Sequence, residues 1–437
     1  MSAAPRRLGA TGALRGVVEL PGDKSISHRA LLFNALATGT AELSGVLDAG
    51  DTRSTLRCLR ALGVIIEERG PGRFRVQGRA GALQEPEDVL DCGNSGTTMR
   101  TLLGLLAGQP LHACLTGDAS LRRRPMGRVT RPLRGLGAQI DGAGAGERAP
   151  LSIRGGVVHN RQIESDVASA QVKTALLLAG LQGEGRLRLS IPDSRDHSER
   201  MLRAMGVELE AVPGRLSLVG GQSLRAIDVV VPGDVSSATF WLVAASITPG
   251  SDLLLRGCGL NPSRCGALDL LRRMGADIDV LNAREVAGEP VGDLVVRSAP
   301  LRGVEVGGAE IPRLIDEIPV LAVAAAVAAG PTTFRDAAEL RHKESDRVSS
   351  TLALLRTLGV AAAELPDGLV VPGGARLRGG EVDPRGDHRL ALSAAVAACA
   401  AEGEIVITDP DVASVSYPSF WSDLAAVQGA ADHPSAS

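Results

Sequence analysis

The segment VELPGDKSISHRALL (residues 18–32) recurs in the second half of the chain as VVVPGDVSSATFWLV (residues 229–243). Each copy is typical of a strand that ends in a Pro-Gly-Asp turn and leads into an apolar helix. Because this signature occurs at only these two places, it divides the chain into two equivalent halves. We therefore predict two domains, one comprising residues 1–20 and 236–437 and the other comprising residues 21–235.

A shorter repeat runs through both halves. Six Ala- and Leu-rich helical segments each end at a glycine, and these glycines recur at intervals of about 70–80 residues. A second series alternates with the first and has the form LRALGV (residues 59–64), which is typical of an amphipathic helix that ends at a glycine. The two series indicate six units of helix, strand, helix, strand, strand. Three units belong to each domain, since one continuous solenoid does not explain why the Pro-Gly-Asp signature is confined to units one and four.

The composition argues against nucleic-acid and membrane partners. Forty-seven basic and 50 acidic residues give a formal net charge of −3, and the few aromatic residues offer no stacking surface for single-stranded nucleic acid. The six scattered cysteines form no CxxC pair, which predicts reduced thiols. The most apolar run, residues 318–329, is shorter than the ~20 residues of a membrane span. Since the start also lacks a secretory signal, we expect a cytoplasmic protein, with a disordered tail at residues 430–437.

Cationic side chains lie at the start of several of the apolar helices, among them Lys24, Lys173 and Arg389. A helix N-terminus carries a partial positive charge, so a cation there costs stability unless an anion joins it. Two basic loops, residues 118–128 and 339–347, supply further cations, although a solvated surface explains part of them. The pattern predicts that several helix starts converge on anionic ligands.

Carboxylates accompany these cations where proton transfer needs them. The sequence Lys343-Glu344-Ser345-Asp346-Arg347 alternates acid and base functions, and Asp316 precedes the fifth apolar helix. No metal-ligand spacing, phosphate-binding P-loop or dinucleotide-binding glycine motif is found in the sequence. These residues predict a transferase that acts on small, multiply anionic substrates without a metal or another cofactor.

Seven segments resemble, in chain order, the signature segments of the 5-enolpyruvylshikimate-3-phosphate (EPSP) synthase family. The resemblance extends from about residue 8 to residue 425, and its segments are PGDKSISHRALL, GNSGTTMRTLLG, RRRPMGR, SAQVKTALL, LIDEIPVLAVAAA, ELRHKESDR and GDHRLALSAAVA. It implies a monomeric α/β protein with a two-domain inside-out barrel of six βαβαββ units, three per domain. It also implies an active site in the interdomain cleft, with the cationic helix starts facing the substrates.

The resemblance implies a reaction and roles for particular residues. The family transfers the enolpyruvyl group of phosphoenolpyruvate to the 5-hydroxyl of shikimate 3-phosphate and releases phosphate. Asp316 matches the family's proton acceptor, and Glu344 matches the carboxyl group that transfers a proton at the methylene carbon. Lys24 matches the lysine that contacts both substrates and neutralises developing charge.

The resemblance also implies two sets of ligands. Guanidinium groups suit both, because they bind carboxylate and phosphate through paired hydrogen bonds. The expected ligands of shikimate 3-phosphate are Lys24, Ser25, Arg29, Ser169, Gln171, Arg195, Asp316 and Lys343. The expected ligands of phosphoenolpyruvate, whose site glyphosate occupies in this family, are Lys24, Gly96, Arg124, Gln171, Arg347 and Arg389.

Three positions depart from the common family pattern. Ala170 replaces a serine expected at the substrate phosphate, Thr101 replaces a proline, and Val415 replaces a lysine. Two alternatives remain open from the sequence. One is the related transferase that acts on UDP-N-acetylglucosamine, which usually carries a cysteine in the loop equivalent to residues 117–127, where this chain has none. The other is a non-catalytic anion-binding homologue, which the retention of Lys24, Asp316 and Glu344 disfavours.

Overall fold

The computed structural model describes residues 4–10 and 12–429, so the tail predicted at residues 430–437 lies outside the described residues. The chain divides into two compact units. The first unit takes its residues from Met1–Pro21, Pro232–Glu285 and Pro290–Ser437, and the second consists of Gly22–Val231 and Val286–Glu289.

The division lies close to the domain boundaries that the sequence predicts, with two differences. The chain passes between the units after Pro21 and after Val231, whereas the predicted boundaries follow residues 20 and 235. The short segment Val286–Glu289 also belongs to the second unit, although the residues on both sides of it belong to the first. No pattern in the sequence predicted this segment.

The elements follow the chain as repeats of strands and helices. The chain begins with β1 (Arg6–Leu8) and β2 (Arg15–Glu19). The first repeat continues with α1 (Lys24–Leu36), β3 (Thr40–Ser44), α2 (Gly50–Ala61), β4 (Ile65–Glu68) and β5 (Phe74–Gln77). The second has β6 (Leu90–Asp91), α3 (Gly96–Ala107), β7 (His112–Thr116), α4 (Gly127–Gly135), β8 (Gln139–Gly142), the short α5 (Ala143–Gly146) and β9 (Arg148–Arg154). The third has β10 (Gln162–Glu164), α6 (Ala170–Gln182), β11 (Arg186–Ser190), α7 (His197–Ala204), β12 (Leu209–Val212) and β13 (Arg215–Val219).

The second half repeats this order. The fourth repeat has β14 (Val229–Val230), α8 (Val235–Ile247), β15 (Asp252–Gly259), α9 (Gly266–Met274), β16 (Asp277–Val286) and β17 (Glu289–Arg297). The fifth has β18 (Glu305–Val306), α10 (Ile318–Val327), β19 (Thr332–Phe334), α11 (Arg347–Thr357), β20 (Ala363–Leu365) and β21 (Gly368–Val371). The sixth has β22 (Arg378–Val382), α12 (His388–Ala398), β23 (Glu402–Ile407) and α13 (Phe420–Gly429).

Each repeat corresponds to one small sheet, and five of the sheets share one strand order. In the sheet β6-β7-β9-β8, for example, β6 is parallel to β7, while β9 is antiparallel to both β7 and β8. The sixth sheet has three strands, β1-β23-β22, because the N-terminal β1 pairs with β23 and completes it. The repeated fold predicted from the resemblance is confirmed, with one strand fewer in the sixth unit than in the other five.

The strands that precede the two Pro-Gly-Asp turns exchange places. β2 pairs with β15 in the first unit, although the helix that follows it, α1, belongs to the second unit. Conversely, β14 pairs with β3 in the second unit, and the following helix α8 belongs to the first. Each turn therefore marks a passage of the chain from one unit to the other.

Each unit has its own hydrophobic core around three nearly all-apolar helices. The core of the second unit contains α1, α3 and α6, and that of the first contains α8, α10 and α12. Gly104 on α3 permits close approach to α6, since a Cβ at this position would overlap the backbone of Ala175. Helices buried on all sides need apolar residues on every face, which explains their lack of amphipathic pattern. Consequently their N-terminal turns are the places where polar side chains gather.

Several side chains of the first unit form an aromatic cluster that joins the C-terminal segment to α8. The indole of Trp241 donates to the Tyr417 hydroxyl at 2.9 Å, and Phe420 stacks near both rings. Burial raises the pKa of Tyr417, so its phenol stays protonated. Both tryptophans of the chain, Trp241 and Trp421, belong to this unit, which makes indole fluorescence a reporter of its folding.

Two further sequence expectations concern the compartment. All six cysteines are free thiols, and all but Cys114 are buried. Across residues 4–10 and 12–429, no helix combines the length and the apolar character that crossing a bilayer requires.

Candidate active site

The residues predicted from the sequence to bind substrates or transfer protons form two groups, one in each unit. We call them the cationic group and the carboxylate group. The cationic group belongs to the second unit and comprises Lys24, Ser25, Arg29, Gly96, Arg124, Ser169, Gln171 and Arg195. The carboxylate group belongs to the first unit and comprises Asp316, Lys343, Glu344, Arg347 and Arg389. Most of these residues lie in or just before the first turns of helices.

Arg29 is the most buried member of the cationic group, with 2% of its surface exposed. Its guanidinium donates to the hydroxyls of Ser198 and Thr174, each at 2.8 Å, and to the carbonyl oxygen of Ser25. Within the described part of the chain, no carboxylate lies within ion-pair distance of it. Burial lowers the pKa of Arg29 from 12.5 to about 10, so the group remains a cation at neutral pH. A buried cation without an ion pair is costly, and an anionic ligand would relieve that cost.

Two hydroxyls expected to bind shikimate 3-phosphate, those of Ser25 and Ser169, belong to segments that contact Arg29. Arg195 donates to the Ser25 hydroxyl at 3.3 Å, and Ser169 caps α6 by accepting from the backbone N–H of Val172. At the departure from the family pattern, the Ala170 carbonyl oxygen lies 3.5 Å from Arg29 Nη2. Arg29, Ser25 and the start of α6 are thus close together, as the resemblance implies.

Lys173 serves a different purpose from the one that its place in the sequence indicates. Its ammonium group lies 2.5 Å from Glu199 Oε1 and donates to the carbonyl oxygen of Ser194, and both charged side chains are buried. An internal carboxylate therefore neutralises this cation. Instead of binding an anion, Lys173 fixes α6 to the start of α7, beside the loop that carries Arg195.

His28 contributes no charge to the basic turn of α1. Its Nδ1 is hydrogen-bonded to the Thr55 hydroxyl at 2.8 Å, and the side chain is fully buried. Burial lowers the pKa of His28 to about 3, so the imidazole is neutral at physiological pH. Thr55 continues the hydrogen bonds to Thr98, which connects α1, α2 and α3 beneath the helix starts. The positive charge of this turn therefore comes from Lys24 and Arg29.

Lys24 is held by a carboxylate that sequence reasoning missed. Lys24 Nζ lies 3.2 Å from Asp51 Oδ2, and the two side chains are 21% and 12% exposed. Asp51 lies in the first turn of α2, where an acidic residue is so common that its sequence context gives no specific signal. The pair positions the ammonium group at the start of α1 while leaving part of it accessible.

Gly96 lies between two guanidinium groups at the start of α3. A Cβ placed there would be 3.1 Å from Arg100 Nη1 and 3.3 Å from Arg124 Nη1. Arg124 donates to the Asn94 side-chain oxygen at 2.7 Å, and Arg100 donates to Gln171 Oε1 at 2.5 Å. Gly96, Arg124 and Gln171 are therefore brought together, and Arg100 joins them. The sequence segment GNSGTTMR contains Arg100, but no role was inferred for it there.

Arg347 is the centre of the carboxylate group and is 1% exposed. Its Nη1 lies 3.1 Å from Asp316 Oδ1, and its Nη2 lies 2.6 Å from Glu344 Oε2. Its Nε lies 2.8 Å from Asp387 Oδ2. Burial opposes the charge, but Asp387, Glu344 and Asp316 together raise the pKa of Arg347. One buried cation thus holds the predicted base and the predicted acid in place.

Asp316 receives a second cation, because Lys343 Nζ lies 3.2 Å from the same Oδ1. This side chain is 14% exposed, which leaves the carboxylate accessible to a substrate. The backbone carbonyl of Asp316 accepts from Arg389 Nη1 at 2.8 Å. Asp316 is therefore in contact with all three cations of the carboxylate group.

Asp387 lies beside the carboxylate group and supports it, although the sequence did not indicate its role. Its Oδ1 caps α12 by accepting from the backbone N–H of Arg389 at 3.0 Å, and Ser345 donates to its Oδ2. Burial disfavours its ionised form, but the charge of Arg347 outweighs burial and holds the pKa of Asp387 below 3.8. A helix cap and a buried ion pair are thus combined in one side chain, and only the cap is visible in the sequence.

Solved structures show the class to which this architecture belongs. The enolpyruvyl transferase NikO from Streptomyces tendae has the same fold, with a TM-score of 0.80 and 21% sequence identity over 98% of both chains. An EPSP synthase from Acinetobacter baumannii has a TM-score of 0.88 and 39% identity, and the match covers 97% of this chain and 98% of that one. The fold is therefore that of the enolpyruvyl transferases.

Sequence comparison identifies the family within that class. Residues 8–424 match the family model described as EPSP synthase (3-phosphoshikimate 1-carboxyvinyltransferase). Relatives from Gloeobacter violaceus and Synechococcus sp., both named 3-phosphoshikimate 1-carboxyvinyltransferase, are 57% and 54% identical to this chain. Each alignment covers 95% of this chain. The alignments cover 97% of the relative from Gloeobacter violaceus and 98% of the relative from Synechococcus sp.. The chain belongs to the EPSP synthase family, which confirms the predicted resemblance.

Proposed function

We infer that the protein catalyses the reaction of its family, in which the enolpyruvyl group of phosphoenolpyruvate moves to the 5-hydroxyl of shikimate 3-phosphate and phosphate leaves. The observation that carries this inference is the contact of Arg347 with both Asp316 and Glu344, at 3.1 and 2.6 Å. The reaction needs a base and an acid together, because the hydroxyl loses a proton while the methylene carbon gains one. The carboxylate group supplies two such side chains, held by one buried cation.

Asp316 acts as the base and Glu344 as the acid in this proposal. Asp316 removes the proton of the 5-hydroxyl, and that oxygen forms a bond to the central carbon of the enolpyruvyl group. Glu344 adds a proton to the methylene carbon, which gives a tetrahedral ketal phosphate. In the second step the methyl group returns a proton to Glu344, and the bond from carbon to the phosphate oxygen breaks. The proton held by Asp316 leaves with the departing phosphate, which restores both side chains. Lys24 stabilises the charge that develops in both steps.

The cationic group binds the anionic parts of shikimate 3-phosphate. Arg29 supports this role most strongly, because it is a buried cation with hydroxyl and carbonyl partners alone. Ser169 and Gln171 present their side chains at the start of α6, where backbone N–H groups and the helix dipole favour a phosphate. The remaining proposed ligands of shikimate 3-phosphate are Lys24, Ser25, Arg195, Lys343 and Asp316.

The proposed ligands of phosphoenolpyruvate come from both groups. Arg124 and Gln171 lie beside Gly96 in the cationic group, and Lys24 lies at the start of α1. Arg389 and Arg347 belong to the carboxylate group, where the contacts of Arg347 support a second role in holding Asp316 and Glu344. We further propose that the protein is a cytoplasmic monomer, which its free thiols and near-neutral net charge support.

The substrate assignment is tested by phosphate release. Purified protein is expected to release phosphate only when shikimate 3-phosphate and phosphoenolpyruvate are both present, and to do so equally fast with EDTA. The base, the acid and the cations that the reaction needs are all side chains. A colorimetric phosphate assay measures the rate. Turnover with UDP-N-acetylglucosamine in place of shikimate 3-phosphate would contradict the substrate, and activity lost to EDTA but restored by a divalent ion would contradict metal-free catalysis.

A methyl group at Gly96 is expected to weaken glyphosate inhibition. In Gly96→Ala, the added Cβ meets the guanidinium ends of Arg100 and Arg124 and narrows the space available to an inhibitor longer than the substrate. Overpacking costs about 1–3 kcal/mol, which corresponds to a rise of about 5- to 150-fold in the inhibition constant. Inhibition measured against phosphoenolpyruvate gives this constant.

The matched control for this variant is Gly135→Ala in α4, where a Cβ meets nothing within 4 Å. Calorimetric binding of shikimate 3-phosphate is expected to be unchanged in both variants. If Gly96→Ala bound glyphosate as tightly as the wild type, the role of Gly96 at the phosphoenolpyruvate site would be refuted.

A further inference from the structure

Glu317 precedes α10 and is 3% exposed. A carboxylate at this position would ordinarily accept from the first backbone N–H groups of its own helix. Glu317 makes no such bond. Its Oε1 instead lies 3.2 Å from Arg389 Nη1 and accepts a hydrogen bond from the Ser236 hydroxyl. The buried carboxylate of Glu317 thus does not cap α10 and instead contacts Arg389, a proposed ligand of phosphoenolpyruvate.

The other partner of Glu317 is itself connected to a buried cation. Ser236 accepts from Arg264 Nη2 at 2.7 Å, and the same Nη2 lies 3.0 Å from Asp234 Oδ1. The Arg264 side chain is 4% exposed. A chain of hydrogen bonds therefore runs from Arg264 through the neutral Ser236 to Glu317 and Arg389, all within the first unit. Glu317 is the anionic member between two buried cations, which makes its charge important for both of them.

The contacts of Arg389 are all on one side of its guanidinium. Nη1 makes both side-chain bonds, to the backbone oxygen of Asp316 and to Glu317. Nε and Nη2 have no acceptor among the residues that the structure describes. The dipeptide Asp316-Glu317 therefore holds one corner of the guanidinium and leaves the edge formed by Nε and Nη2 for a ligand. That edge has the geometry for paired hydrogen bonds to a carboxylate or a phosphate.

We propose that Glu317 is a positioning residue for phosphoenolpyruvate, which acts by orienting Arg389. Its charge compensates that of the guanidinium, and its Oε1, together with the Asp316 carbonyl, fixes the direction of the Nε/Nη2 edge. Asp316, the proposed base, belongs to the same dipeptide. The Nε/Nη2 edge of Arg389 and the carboxylate of Asp316 therefore keep the same distance and orientation relative to each other. This inference rests on the proposed role of Arg389 as a ligand of phosphoenolpyruvate.

The test removes the charge of Glu317 and keeps the shape of its side chain. Glu317→Gln is expected to raise KM for phosphoenolpyruvate about 10- to 100-fold, because the hydrogen bond to a charged partner is weakened. KM for shikimate 3-phosphate and kcat at saturating phosphoenolpyruvate are expected to stay within about threefold of the wild type. The matched control is Glu310→Gln, since Glu310 also pairs with an arginine, Arg273, but at the surface.

A role that is only structural predicts a different result. It would raise both KM values or lower kcat, together with the thermal midpoint, and this outcome would overturn the proposal. Ser236→Ala provides a milder variant, because it removes one bond to Glu317 Oε1 and leaves the ion pair with Arg389. It is expected to raise KM for phosphoenolpyruvate about 3- to 10-fold, and an unchanged KM in a folded variant would count against the proposal.

Arg389→Gln separates this inference from the proposed function. If Arg389→Gln leaves KM for phosphoenolpyruvate unchanged, the role of Arg389 is refuted and the inference falls with it. If Arg389→Gln raises this KM but Glu317→Gln does not, only the inference is overturned. The double variant is expected to have the KM of Arg389→Gln alone, because Glu317 acts through Arg389. Multiplied effects of the two substitutions would show that Glu317 acts independently.

Discussion

Asp316→Asn is expected to lower kcat by about 10²–10⁴-fold, the usual cost of removing a positioned acid or base. Asparagine keeps a side-chain oxygen for Lys343 and Arg347, so the carboxylate group retains its arrangement. It cannot accept the proton of the 5-hydroxyl. Steady-state phosphate release gives kcat, and titration calorimetry is expected to show binding of shikimate 3-phosphate close to that of the wild type.

Two further variants make this experiment specific. Glu344→Gln is expected to lower kcat to a similar extent, because protonation of the methylene carbon loses its donor. Asp269→Asn is the control, since Asp269 also pairs with an arginine, Arg313, but is exposed, and its kcat is expected to be that of the wild type. Near-wild-type turnover of Asp316→Asn would show that another group is the base.

Arg347→Gln is expected to have the largest effect on stability. The substitution leaves Asp316, Glu344 and Asp387 without their common cation, and breaking a buried ion pair costs about 3–5 kcal/mol. Urea unfolding followed by tryptophan fluorescence measures the first unit directly, because both indoles belong to it. The urea midpoint is expected to fall while the slope stays unchanged.

Arg297→Gln is the matched control for this stability experiment. Arg297 also lies near three carboxylates, those of Asp252, Asp277 and Asp279, but it is 42% exposed. Water screens exposed pairs, so the urea midpoint is expected to be nearly that of the wild type. Equal losses in the two variants would contradict the importance assigned to burial.

The loss of stability in Arg347→Gln is expected to depend on pH. In the wild type, Arg347 holds the pKa of Asp387 below 3.8, so this pair stabilises the fold above that pH and ceases to do so as the pH falls through the lowered pKa. In the variant, Arg347 no longer opposes the effect of burial on Asp387, so burial favours the protonated form of this side chain. The variant therefore regains stability as the pH falls. The difference between the two urea midpoints is therefore expected to be smaller at about pH 4.5 than at about pH 7. A difference that widens at the lower pH would contradict this explanation.

The sixfold repeat and the two equivalent halves can be read from the sequence alone. Both helix types are local patterns in the sequence, namely apolar helices that end at glycines and amphipathic helices of the LRALGV type. They are visible there because the spacing of apolar residues along a helix depends on which of its faces are buried. The family segments likewise predicted Asp316, Glu344 and Lys24 as catalytic residues, because each lies in a continuous motif. Local order in the chain was sufficient for these conclusions.

The pairing of strands across the repeats, in contrast, depends on the three-dimensional fold. β2 and β14 join sheets whose other strands lie far from them in sequence, and β1 completes the sheet of β22 and β23 near the other end of the chain. A short strand pattern predicts a strand but not its partner, because the hydrogen bonds between strands are made by backbone groups that every sequence shares. The passages of the chain between the units were accordingly a few residues from their predicted places.

Charge at the site was also decided by tertiary structure. The sequence shows Lys173 and His28 as potential cations, yet Glu199 neutralises the first and burial keeps the second uncharged. Conversely, it predicts Arg347 as a substrate ligand but does not show that the carboxylates of Asp316, Glu344 and Asp387 surround it. A side chain's charge and role depend on its burial and on its partners, which include Glu199, 26 residues from Lys173, and Asp387, 40 residues from Arg347. Motifs therefore predict the reacting groups, and folding determines which of the candidate side chains are charged and which are paired within the protein.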